Sequence, residues 1–213
     1  MITFARSLRL LALLLGAPFA TACGSAPAVV SSEGNGTTVV ASFGIESVVF
    51  GALEIREHQR LAHDLYDQFA RQHVEPAFRV ARDARRQNID SLGRLLRNRD
   101  SFNVAPLPPR GQFDDPALAA EYDRLSRLGS ESPAAAFRVA ALIEERDVAL
   151  IREYARQTSA SDVTALYSRL ERSGRVHLSS FVTRLRTLGE NYQHDQHHAE
   201  AMQALLGTRK SDE

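Results

Sequence analysis

Apolar residues in this chain recur at intervals of three and four from about Ile45 onward, and no stretch alternates with period two. That spacing predicts amphipathic helices and no strands. A first helix is expected over 45–72, with Val48, Gly51, Ile55, His58, Ala62, Leu65 and Phe69 along its inward row. A second is expected over 76–98, entered at Pro76, where the missing proline N–H costs nothing. Its row reads Phe78, Ala81, Arg85, Asn88, Ile89, Leu92 and Leu96. A third runs to about Gln157, with Ser132 placed to cap it and Pro133 in its first position. Its inward side carries Phe137, Ala140, Ala141, Glu144, Asp147, Val148 and Ile151. A fourth is expected over 162–188, capped by Ser161 or Ser159, with Leu166, Leu170, Gly174, His177, Leu178, Phe181 and Leu185 in its row. Shorter helices are expected over 116–128 and 196–206.

Connection lengths set the topology. Helices one and two are joined by a few residues, as are three and four, so each pair lies antiparallel. Some thirty residues separate the pairs, opening with Pro106-Leu107-Pro108-Pro109-Arg110-Gly111, a run that no helix tolerates. Two tight hairpins with one long crossover predict an all-α, ferritin-like antiparallel four-helix bundle over 45–213, completed by the short C-terminal helix. Main helices of this length span roughly 40 Å at 1.5 Å per residue.

The chain before the helices has a different character. Arg6 and Arg9 precede a short apolar run, Leu10 to Leu15, and then small residues. The run is shorter than the ~20 apolar residues a bilayer span takes. A charged start, short apolar core and small-residue end predict a secretory signal over 1–22. Ala20-Thr21-Ala22-Cys23 resembles a bacterial lipobox, which implies a lipid anchor on Cys23, the only cysteine of the chain. Residues 23–44, rich in Gly, Ser and Thr, read as a flexible tether. Gly24 stands where an inner-membrane retention signal typically has aspartate, which points to the outer membrane. The expected location is thus the bacterial cell envelope, with the membrane as one partner and an envelope protein as the other.

Charge and composition narrow the function classes. Twenty-six basic and 26 acidic residues balance in the 213-residue chain. Loss of residues 1–22 removes Arg6 and Arg9, so 24 basic residues face 26 acidic ones. Such a balance argues against a nucleic-acid binder, which needs a basic field against phosphates. One cysteine excludes an internal disulfide and a Cys-rich metal site. No phosphate loop and no Ser-His-Asp signal occurs.

Candidate chemistry lies in polar residues on inward rows: His58 or Gln59, Arg85 with Asn88, Glu144 with Asp147, and His177. Ferritin-like di-metal proteins project carboxylates and Glu-x-x-His pairs inward at such depths. The stretches Arg60-Leu61-Ala62-His63-Asp64-Leu65-Tyr66, Ala141-Leu142-Ile143-Glu144-Glu145 and His177-Leu178-Ser179-Ser180-Phe181 make the likeness more specific. With the ending Leu188-Gly189-Glu190-Asn191-Tyr192, they resemble a prokaryotic ferritin-like family, the domain of unknown function twenty-two-oh-two. The resemblance implies a four-helix bundle, a possible metal site and often an exported or lipid-anchored location. It implies no established reaction.

Carried over by position, the implied ligand set is eroded. Gln59 stands where the family's first helix has glutamate, and Arg85 and Asn88 stand where its second has Glu-x-x-His. Glu144 and His177 match. Glu57 and His58 are near Gln59, but each residue turns a side chain about 100° around the helix. Arginine cannot ligate a metal and is costly to bury unpaired. Three arrangements stay open: an Arg85–Glu144 ion pair, a weak site for iron or another divalent metal using Glu144, His177, Glu57 and His58, or an Arg85 that reaches out to solvent. Tyr66 and Tyr154 read as core or rim aromatics. His194, His197 and His198 form a possible secondary metal cluster, two of them one helical turn apart, and equally a solvated helix start. The expectation is a non-catalytic structural or interaction module. The alternative is a ferritin-like metal store or di-metal oxidase.

Overall fold

The computed structural model describes residues 36–99 and 106–193, with side chains from residue 48. Cys23, the expected signal segment, the terminal helix and the three tail histidines lie outside the described residues. Five helices and no strand are found among those described: α1 (Gly36–Gln72), α2 (Pro76–Arg97), α3 (Pro116–Ser130), α4 (Pro133–Arg156) and α5 (Ser161–Thr187). None of them is long and apolar enough to cross a membrane.

Most boundaries follow the residues that dictate them. Ser132 accepts a hydrogen bond from the Ala135 N–H at 3.1 Å and Pro133 opens α4, as the sequence predicts. Asp115 caps α3 in the same manner, accepting from Ala117 N–H at 2.8 Å. At the end of α5, Gly189 takes φ 79°, and the Glu190 N–H reaches back to the Leu185 carbonyl at 3.0 Å. This is the glycine-terminated cap that satisfies otherwise orphaned carbonyls.

Two boundaries differ from expectation. The first helix begins at Gly36 and not at Ile45, inside the stretch expected to be a tether through residue 44. The residues after Gly36 are Thr-Thr-Val-Val-Ala-Ser-Phe. β-branched residues lower helix propensity by fractions of a kcal/mol and do not forbid it. At α5 the cap position is Ala160, with no side-chain cap from Ser159 or Ser161. Thr158 instead accepts from the Ala160 N–H at 3.2 Å, and Ala160 carbonyl accepts from Thr164 N–H at 2.9 Å.

α1 packs along α2, and α4 along α5; α1 also meets α4, and α2 meets α5. α3 lies against α4 and α1, so the crossover is itself part of the fold. Gly129 on α3 comes so close to the Phe69 ring that a Cβ there would fall 2.1 Å from its Cζ. The crossover is also tied by polar contacts. Gly111, at φ 74°, donates its N–H to Asp64 Oδ2 at 2.9 Å, and Arg60 donates to the Gln112 carbonyl at 2.7 Å.

The apolar interior divides in two. One cluster gathers Leu65, Phe69, Phe78, Phe137, Ala140 and Phe181 around stacked rings, with Phe78 and Phe137 centroids 4.5 Å apart. The other gathers Ile55, Leu92, Leu96, Ile151, Leu166 and Leu170. Between them, on every helix of the two hairpins, lies a polar or small residue: Gln59 on α1, Arg85 and Asn88 on α2, Glu144 and Asp147 on α4, Gly174 on α5.

Candidate functional site

Burying ions between two apolar clusters is costly unless each polar atom finds a partner. Here nearly all do. Arg85 is 2% exposed and Glu144 not at all. Arg85 Nη2 donates to Glu144 Oε2 at 2.5 Å, and its Nη1 donates to Asp147 Oδ2 at 2.7 Å. Glu144 Oε1 accepts from the Tyr66 hydroxyl at 2.9 Å. Gln59 donates to Asp147 Oδ2 at 3.0 Å and accepts from Asn88 Nδ2 at 2.9 Å. The one buried atom of this layer left without a partner is Arg85 Nε. Gly174 makes room for the layer, since a Cβ there would sit 3.3 Å from Glu144 Oε2.

The charges decide the protonation. One guanidinium faces two carboxylates, so the fully ionised layer carries a net negative charge in a dry interior. Burial pushes the Glu144 carboxyl up from 4.5 to about 7, with Asp147 adding to the rise and Arg85 resisting it. Burial also works against the Arg85 charge, but Glu144 and Asp147 outweigh it and hold the guanidinium protonated. Tyr66 is raised by burial and by Glu144, so it stays a hydrogen-bond donor. The layer can therefore take up or release one proton near neutral pH, at Glu144.

The other expected site residues are placed differently. Glu57 points to the rim, where it binds Arg60 at 2.8 and 3.0 Å and lies 3.7 Å from Arg56. His58, set on the inward row by spacing, is only partly buried; its Nδ1 is 3.8 Å from Asp147 Oδ1. Gln59 takes the inward position instead, in register with Ile55, Ala62 and Tyr66 at four, three and seven residues. His177 lies beside Phe181, ring centroids 6.3 Å apart. Burial, with some help from Arg85, lowers it to about 4, so it is neutral at ordinary pH. Of the three open arrangements for Arg85, the ion pair with Glu144 is the one present, extended by Asp147.

Asp147, on the inward row with Glu144, follows it by three residues and shares its face, although the resemblance gives it no ligand role. Tyr66 is the member outside the candidate set: its type alone suits a core or rim aromatic, but it sits two turns after Gln59 and donates to Glu144.

The donor set does not fit a metal. Glu144 and Asp147 are joined through a guanidinium, which repels cations and cannot ligate. Gln59 and Asn88 are spent on one another and on Asp147. Among the described residues no three His, Cys, Asp or Glu side chains are grouped to hold an ion.

The family described as "Uncharacterized protein domain (DUF2202)" matches residues 49–207. The chain belongs to the DUF2202 family. The polar layer, α2 to α5 and the part of α1 from residue 49 onward lie within that DUF2202 span. The chain is also similar to the uncharacterized protein MJ0754 of Methanocaldococcus jannaschii, 28% identical over 146 residues, covering 67% of this chain and 77% of that one. The crystal structure of MJ0754 superposes with a TM-score of 0.63 at 26% identity, over 71% of this chain and 89% of that chain.

Proposed function

We propose that this protein is a lipid-anchored envelope module, a ferritin-like four-helix bundle whose arginine-centred layer stands where a metal centre would be, and that it serves a structural or interaction role and not catalysis. The observation that carries the reading is Arg85 bridging Glu144 and Asp147 at 2.5 and 2.7 Å. A cation would have to displace a guanidinium that both carboxylates already grip. Two tight hairpins joined through the α3 crossover support the ferritin-like arrangement. The lipobox-like Ala20-Thr21-Ala22-Cys23 supports the anchor.

Metal analysis of the untagged protein, purified without chelator, tests the first part. Metal well below stoichiometric is the expected result. Stoichiometric iron, manganese or zinc that is lost in Glu144→Ala and His177→Ala would establish the metal-store or oxidase reading instead. If metal survives both but vanishes with His194→Ala and His198→Ala, the tail histidines are the site. For the anchor, labelling of growing cells with a radioactive fatty acid should mark the wild type and leave Cys23→Ser unmarked.

A further inference from the structure

α2 and α5 lie side by side, and arginine–carboxylate pairs close both ends of their seam. Arg184 on α5 binds Glu75, just before α2, at 2.9 and 3.1 Å. Arg99, just after α2, binds Asp162 in the first turn of α5 at 2.6 and 2.7 Å. These pairs set the two helices antiparallel and balance charge at each end.

The middle of the seam breaks the pattern. A cleft of about 430 Å³ opens there, and each helix places an arginine on it, Arg94 from α2 and Arg169 from α5. Neither has a carboxylate partner. Arg94 Nη2 donates to Ser91 Oγ at 2.9 Å, and Arg169 has no hydrogen bond or ion pair among the described residues. Asp90 also borders the cleft but is 3.6 Å from Arg86. Asp90 is the one carboxylate among the lining residues, so with two exposed arginines the cleft keeps a net positive charge that attracts an anion. The rest of the lining is mostly polar, with the Ser91 and Ser173 hydroxyls and the Gln87 and Asn88 amides beside a single small apolar residue, Ala84, which favours a polar ligand.

We propose that this cleft binds an oxyanion of the phosphate class, gripped by Arg94 and Arg169 from opposite walls. A guanidinium presents paired N–H groups that match two phosphate oxygens at once, which a spherical halide cannot exploit. The phosphate is either free in solution or the head group of a phospholipid, and the two sources share this chemistry. The cleft meets the buried layer only at Asn88, and neither Arg94 nor Arg169 belongs to that layer, so the proposal stands whether or not the layer excludes metal.

Thermal unfolding of the untagged chain carrying Cys23→Ser tests the proposal, with inorganic phosphate compared with chloride at constant ionic strength and pH 7. The expected rise in Tm is about 3–6 °C at a phosphate concentration tenfold above its Kd. In the double variant Arg94→Gln, Arg169→Gln that rise disappears, and the variant melts in chloride no lower than its parent because neither arginine has a carboxylate partner to lose. A parent Tm that does not distinguish phosphate from chloride, or an equal rise in the double variant, overturns the proposal. Co-sedimentation with phosphatidic acid vesicles, against phosphatidylcholine alone, then separates the sources. Vesicle binding that requires both arginines assigns the head group, and a phosphate response without it assigns the free ion.

Discussion

Glu144 makes the stability of this fold depend on pH in a direction opposite to that of most acidic residues. Its carboxyl is raised from 4.5 to about 7, chiefly by burial. Between those values the folded chain keeps a proton that the unfolded chain has released. Stability from this residue is therefore full below about pH 4.5, falls as pH rises, and is lost by about pH 7. At about 1.36 kcal/mol per pH unit the loss amounts to about 3 kcal/mol. Glu144→Gln removes the titration while leaving an amide oxygen to accept from Tyr66 or Arg85. Urea unfolding of both proteins at pH 4.5, 5.5, 6.5 and 7.5, followed by circular dichroism, measures the difference in which titrations outside the layer cancel. The wild type should lose about 3 kcal/mol relative to Glu144→Gln across that range, equivalent to a relative drop in Tm of roughly 6–12 °C. A difference that stays constant with pH, or that grows in favour of the wild type, would refute the account of a net-negative buried layer.

Arg85→Met leaves two buried carboxylates without a counter-ion, and should cost about 3–5 kcal/mol at pH 8 and less at pH 5, where Glu144 can take a proton; thermal melts at both pH values check this. Gly174→Ala should cost about 1–3 kcal/mol, because its Cβ would lie 2.9 Å from Val148 Cγ2 and press on Glu144; a fall in the urea midpoint with unchanged slope is the expected signature. Asp64→Ala removes the acceptor for the Gly111 N–H, and limited trypsin digestion should then cut faster at Arg110 while cleavage within α4 is unaffected.

Helix existence was legible because it depends on local spacing. The rows around Phe78 and Phe137 repeat at three and four, and caps such as Ser132-Pro133 act within one turn. The start of α1 was less legible, since Val39 and Val40 suit helix and extended chain alike. Inward polar residues could be found by the same spacing, and Arg85 with Glu144 was recognisable as a charge needing a partner.

What the sequence by itself determined was the main helices, the short and long connections, and the presence of an arginine on the inward row of the second helix. Which nitrogen meets which oxygen was decided only by tertiary structure. A turn of about 100° per residue separates Glu57, His58 and Gln59, and packing chose Gln59 for the interior. Asp147 became the second acid on Arg85 because α2 and α4 face one another across the layer, a relation between residues 62 positions apart. The protonation of Glu144 follows from the same cause, since burial and unlike charge counts are properties of the assembled interior and of no single helix.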